Sequence, residues 1–162
     1  MYRIQNKFMN DLRAIFWDVD GTLADTEMYG HRVAFNKAFE DFGLLWNWDR
    51  NLYQKLLFIA GGARRIAKYA EQLNYDLSLK DISSIHILKQ KHYESILKSG
   101  TIPLRLGVVD LLIELNDNNI EQWIVTTSSF KAVEWLLNYN LTEIKNIFKG
   151  IITNEDVERH KP

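Results

Sequence analysis

Residues 13–23, RAIFWDVDGTL, pass from a short apolar run straight into two carboxylates and a glycine. The run mixes aromatic and β-branched side chains and stops at acids, so it reads as a short buried strand whose C-terminal end is Asp18. Asp18 and Asp20 therefore stand where a strand leaves its sheet. From Asp25 the period changes to that of a helix: Met28, His31, Phe35, Ala38, Phe39 and Phe42 recur three or four apart, and Gly43 supplies the stop. A strand, a tight turn bearing acids and then a long helical stretch make an α/β protein the expectation.

The rest of the chain fits that frame. Leu52, Leu56 and Ile59 form a second amphipathic segment ending at Gly61 and Gly62. Ile66, Ala70 and Leu73 form a third. Ser78, with Asp81 three residues on, opens a longer helix carrying Ile82, Ile85, Lys89, His92 and Ile96 to Gly100. After TIPLRLG, the side chains of Val109, Leu112, Ile113 and Leu115 predict a helix, IEQWIVTT a second strand ending in hydroxyls, SSFKAVEWLLNYN a serine-capped helix and GIIT a third strand. The reading is a parallel α/β core, residues 1–23 and 103–162, with an all-helical unit, 24–102, inserted after the first strand.

Composition narrows the chemistry. At 162 residues and 46% hydrophobic side chains there is ample material for a core. A formal net charge of −1 gives no electrostatic reason to expect nucleic acid or an anionic membrane as partner, so a small molecule is the expected ligand. The chain has no cysteine, so any metal must be held by oxygen or imidazole. The N-terminal MYRIQNKFMN lacks a secretory h-region, and no stretch reaches the roughly 20 apolar residues of a membrane span. The expected setting is the cytoplasm, with a plastid as the alternative.

In open parallel sheets the active crevice lies beyond the C-terminal strand ends. Asp18 and Asp20 leave the first strand, Thr126, Thr127 and Ser128 the second, and Lys161 follows the third. A nucleophile, an acid/base, hydroxyl donors and a cation are the inventory of phosphoryl transfer. A carboxylate that attacks phosphorus must approach a dianion, and Mg²⁺ relieves that repulsion through hard oxygen ligands. A second carboxylate two residues on can protonate the leaving alkoxide and later deprotonate water. Gly21 lets the backbone turn tightly behind the acids.

Taken singly, each feature has a plainer explanation. Two acids beside a glycine make a strand-ending turn, Thr126 to Ser129 a helix cap, Lys161 a solvated lysine, His31 a helix histidine, and Gly61-Gly62 a helix boundary. An EF-hand loop is excluded by Thr22 and Leu23, where an acid or amide and a glycine would be needed. The ordered occurrence at successive strand ends is what favours chemistry.

At these residues the chain resembles a known family. FWDVDGTLADTE looks like the first motif of the haloacid dehalogenase (HAD) superfamily, WIVTTSS like its second, and TNEDVERHKP like the approach to its third. HRVAFNKAFEDFGLLWNWDRNLYQKLLFIAGGARRIAKY resembles the helical cap of the CbbY-like branch, which includes phosphatases of xylulose-1,5-bisphosphate. The resemblance implies a Rossmann-like HAD core with a parallel, incomplete sheet and an inserted all-helical cap. It implies a Mg²⁺-dependent sugar-phosphate phosphatase working through an aspartyl phosphate. Asp18 would be nucleophile and Mg²⁺ ligand, Asp20 acid/base and metal ligand, and Thr126 and Lys161 holders of the phosphoryl group. Glu27, His31, Gly61, Gly62, Arg65, Thr127 and Ser128 would bind substrate.

Two departures qualify the resemblance. Ala63 stands where relatives carry a basic residue after the glycines, followed by Arg64 and Arg65, which implies shifted or weakened recognition of a distal phosphate. The family continues past the position of Pro162 to a strand bearing a fourth acidic motif, and that strand lies beside the first, so RAIFW is expected to be an unpaired edge without it. A β-phosphoglucomutase-like phosphotransferase and an inactive remnant with a binding role are the alternative functions.

Overall fold

Parallel strands connected through helices organise the two ends of the chain into one unit. In a computed structural model that describes residues 12–158, β1 (Ala14–Trp17), β2 (Glu121–Val125) and β3 (Phe148–Ile152) form one sheet in the order β1-β2-β3. β1 pairs with β2 from Ala14–Glu121 to Trp17–Ile124. β2 pairs with β3 from Gln122–Phe148 to Val125–Ile152, with a register shift between Gln122 and Trp123. Gly150, the partner of Trp123, permits that packing, since a Cβ there would lie 2.5 Å from the indole Cζ3.

Helices α5 (Val108–Asp117) and α6 (Phe130–Asn140) bury Val108, Leu112 and Leu115, and Val133, Leu136 and Leu137. A polar relay ties this layer together. Trp17 Nε1 donates to Gln122 Oε1 at 3.0 Å, and Gln122 Nε2 donates to the Leu112 carbonyl at 2.9 Å. Gln122 is fully buried, so both ends of its amide are satisfied where an unpaired group would be costly.

Two expectations need correction here. β1 is not buried throughout: Trp17 is, but Phe16 is 65% exposed, because β1 ends the strand order and has a strand neighbour on one side only among the described residues. In α5 the inward face is Val108, Leu112 and Leu115, spaced four and three apart, whereas Ile113 is 41% exposed.

The chain divides into two compact units, Met1–Ala24 with Leu104–Pro162, and Asp25–Pro103. At the point of insertion Ala24 and Leu104 form an antiparallel bridge, and Arg105 N donates to the Leu23 carbonyl at 2.9 Å.

The second unit is helical: α1 (Arg32–Asp41), α2 (Arg50–Leu56), α3 (Gly62–Gln72) and α4 (Leu79–Lys98). Its core is aromatic, with Phe35, Phe39, Trp48 and Tyr53 all essentially buried and their ring centroids 4.7–6.1 Å apart in the contacting pairs. Such pairs contribute beyond their buried area, by about 0.5–1.5 kcal/mol each. The Ser78–Asp81 pair forms a reciprocal capping box at the start of α4, as its spacing predicts.

The expected helix from Asp25 differs in its first turn. Glu27–His31 is π-helical, and α1 proper begins at Arg32. The wide turn packs closely at Gly30, where a Cβ would lie 2.7 Å from Tyr93 Cε2 and 3.1 Å from Ile102 Cδ1.

Candidate active site

In the first unit the site is assembled by β1, β2 and the turns that follow them. Asp18 leaves β1 half-buried, and the Val19 carbonyl then accepts from the amides of Thr22, Leu23 and Ala24 at 3.1–3.3 Å. Gly21 adopts φ +77° with open space around its absent Cβ, so the requirement there is conformational and not steric. This knot of hydrogen bonds fixes the backbone under both carboxylates.

β2 delivers the partner group. Thr126 is buried, its amide donates to the Ile152 carbonyl at 3.0 Å, and its Oγ1 accepts from the Ser128 amide at 3.2 Å. The Ser128 hydroxyl donates to Asp20 Oδ2 in a short hydrogen bond. Thr127 is exposed. Capping of α6 is done elsewhere, by Ser129 Oγ accepting from Ala132 N at 3.4 Å and Glu155 Oε1 accepting from Phe130 N at 3.3 Å. Thr126, Thr127 and Ser128 are thus not consumed as helix caps.

Beyond β3 the chain turns at buried Thr153, whose amide and hydroxyl both donate to Asp156 Oδ2, at 2.8 and 2.9 Å. Those donors, the backbone one foremost, hold the Asp156 carboxyl below the usual carboxylate range. Lys161 lies outside the described residues.

The remaining substrate-side candidates belong to the helical unit and form a second cluster. Glu27 and His31 begin and end the π-turn. Tyr53 Oη donates to Glu27 Oε2 at 2.8 Å and accepts from Arg65 Nη1 at 3.1 Å. Arg65, only 8% exposed, also donates through Nε to the Leu56 carbonyl at 2.9 Å and through Nη2 to the Ile59 carbonyl at 3.1 Å. Its guanidinium is thereby engaged in holding the α2–α3 loop and, through Tyr53, Glu27. Gly61, at φ +86°, precedes Gly62, the first residue of α3. A Cβ on Gly62 would meet His86 Nε2 at 2.7 Å and Phe35 Cζ at 3.3 Å.

Lys89, Tyr53 and His86 escape a reading of the sequence for site residues. Lys89 is 4% exposed, lies 2.8 Å from His31 Nδ1, and sits over the Tyr93 ring at 4.7 Å. Its signal was present, a lysine on the apolar face of α4 between Ile85 and Tyr93. Tyr53 leaves no such trace, since aromatic residues at that spacing are ordinary core. His86 is half-buried, and its imidazole is held below the ordinary range by desolvation first and by the Lys89 charge second.

Asp18 and Asp20 are hard oxygen donors of the kind that suit Mg²⁺, which takes one or two protein carboxylates and completes its shell with water and phosphate. Among the described residues no group of three or more His, Cys, Asp or Glu could by itself enclose a metal. As a pair of hard oxygen donors, the two carboxylates fit Mg²⁺ in their chemistry.

A parallel sheet with paired carboxylates at its first strand end, and a helical insertion directly after it, define the class as an α/β core carrying an inserted helical unit. The chain belongs to the haloacid dehalogenase-like hydrolase family, whose model matches residues 15–162. It is 37% identical over 152 residues to Protein CbbY of Cereibacter sphaeroides, covering 93% of this chain and 66% of that protein. It is 31% identical over 157 residues to the CBBY-like protein of Arabidopsis thaliana, covering 92% and 49%. The chain thus spans two thirds or less of these relatives' lengths. Among solved structures it is similar to a mutant of CbbY from Rhodobacter sphaeroides in complex with xylulose-(1,5)bisphosphate, with a TM-score of 0.75, 36% identity and coverage of 93% and 67%. A predicted phosphoglycolate phosphatase from Haemophilus somnus shares the fold at a TM-score of 0.77 and 18% identity.

Proposed function

We propose that this chain carries the core motifs of a Mg²⁺-dependent sugar-phosphate phosphatase, with 1–23 and 103–162 as the hydrolytic core and 24–102 as a substrate-facing cap. The observation that carries the reading is the strand-end group in which Ser128 is hydrogen-bonded to Asp20, two residues along the chain from Asp18. Asp18 attacks phosphorus, the P–O ester bond breaks, and the leaving alkoxide takes its proton from Asp20. Water then attacks the aspartyl phosphate and gives a proton to Asp20, releasing inorganic phosphate and restoring Asp18 as a carboxylate and Asp20 as the acid. Thr126, Thr127, Ser128 and Lys161 hold the phosphoryl oxygens. Mg²⁺ held by Asp18 and Asp20 supplies charge neutralisation at the phosphoryl group when bound.

A bisphosphorylated sugar such as xylulose-1,5-bisphosphate is the proposed substrate, supported by the likeness to the CbbY complex. Glu27, His31 and the loop of Gly61 and Gly62 are its proposed cap-side contacts, with Arg65 holding that loop from within. The test is phosphate release from xylulose-1,5-bisphosphate with and without Mg²⁺. The expected result is metal-dependent release that Asp18→Asn reduces to background. Undiminished release by Asp18→Asn would reject the nucleophile, and isomerised sugar phosphate without net phosphate would indicate a mutase.

A further inference from the structure

Lys89 is the most deeply buried lysine of the helical unit, 4% exposed, and its ammonium lies 5.2 Å from the Phe35 centroid and 4.7 Å from that of Tyr93. Both aromatic faces favour the cationic form. An ammonium has three donors and no acceptor. Its Nζ is 2.8 Å from Nδ1 of His31, whose ring stacks on Tyr93 with centroids 3.9 Å apart. A nitrogen that accepts from an ammonium cannot itself carry a proton, so the imidazole proton must reside on Nε2.

We propose that Lys89 is a positioning residue: by donating to Nδ1 it holds His31 as the Nε2–H tautomer, so that His31 offers a hydrogen-bond donor, and not an acceptor, to the ligand of the helical unit. The same turn supplies the complementary group. Glu27, held through Oε2 by Tyr53 and through Tyr53 by Arg65, is an acceptor. Two buried cations thus fix opposite hydrogen-bonding characters on one π-turn, with His31 matched to a phosphate or carbonyl oxygen and Glu27 to a hydroxyl. The choice of ligand rests on the phosphatase reading, whereas the tautomer does not.

The test is a long-range proton–nitrogen correlation spectrum of the imidazoles at a pH of about 8, above the ordinary histidine range. The chain has four histidines, so His31→Gln identifies the His31 signals by their loss. The unmodified protein should show His31 as the Nε2–H tautomer, and Lys89→Met should give a mixture of the two tautomers. With a sugar phosphate as substrate, Lys89→Met should raise KM about tenfold and leave kcat within about threefold, as expected for lost uniform binding. An Nδ1–H tautomer in the unmodified protein overturns the proposal even if the variant fails to fold. An unchanged tautomer in folded Lys89→Met also overturns it. The expected tautomer in a protein that releases no phosphate would count against the phosphatase reading alone.

Discussion

Arg65 shows how a side chain's neighbours decide its work. Three of its donors are spent on the Leu56 and Ile59 carbonyls and the Tyr53 hydroxyl. Arg65→Met would leave these acceptors without their donor in a buried setting, at a cost of about 3 kcal/mol, measurable by denaturant titration. It should also loosen Glu27 through Tyr53. Lysine cannot reproduce a planar fork reaching three acceptors, so Arg65→Lys should recover less than half of that loss. At Gly21 the prediction has a different cause. Space around the position is open, so Gly21→Ala should cost about 1 kcal/mol through its positive φ alone.

The elements were legible where a local rule governs them. The Ser78–Asp81 box is written in three residues of spacing, and Ser78→Ala should lower the melting temperature by removing the acceptor for Asp81 N. Helix α3 begins where two glycines said it would. The π-turn was not legible, because Glu27 and His31 four apart suit either helix type, and the close approach at Gly30 comes from Tyr93 and Ile102, far along the chain. The partner carbonyls of Arg65 left no pattern either, since every residue has one. Exposure of Phe16 goes with the edge position of β1, which the family resemblance implied and the strand's own apolar run did not. The core acids and hydroxyls could be read because each sits at the end of its own apolar run. Gly150 marks the limit of such reading: its Trp123 contact depends on strand register, and Gly150→Ala should cost about 1–3 kcal/mol by overpacking.

At the scale of the whole molecule, acid should weaken both units by related means. Asp81 is held below the usual carboxylate range by the Ser78 hydroxyl and then the Ser78 amide, and Asp156 by the amide and hydroxyl of Thr153. His86 is lowered by burial. A depressed folded value means that stability is complete above the unfolded value and is lost as pH falls through the folded one. Loss from His86 should therefore begin below a pH of about 6.5, and loss from the two aspartates below about 4. Melting temperatures measured from pH 8 downward check this, and His86→Phe should remove the first phase while keeping the second.

The Ala24–Leu104 bridge has a wider consequence for how this molecule can be cut. Everything from Asp25 to Pro103 is an excursion whose two ends meet, so the strand order of the first unit does not depend on how long the excursion is. Loop-closure cost grows only with the logarithm of length, by about 0.6 kcal/mol per doubling. Replacing 25–103 by a few glycines should leave the pairing of β1 with β2 intact, visible as preserved Trp17 indole protection in hydrogen exchange. The helical unit is in that sense interchangeable cargo, and a different insert could be exchanged at the same seam without renegotiating the sheet.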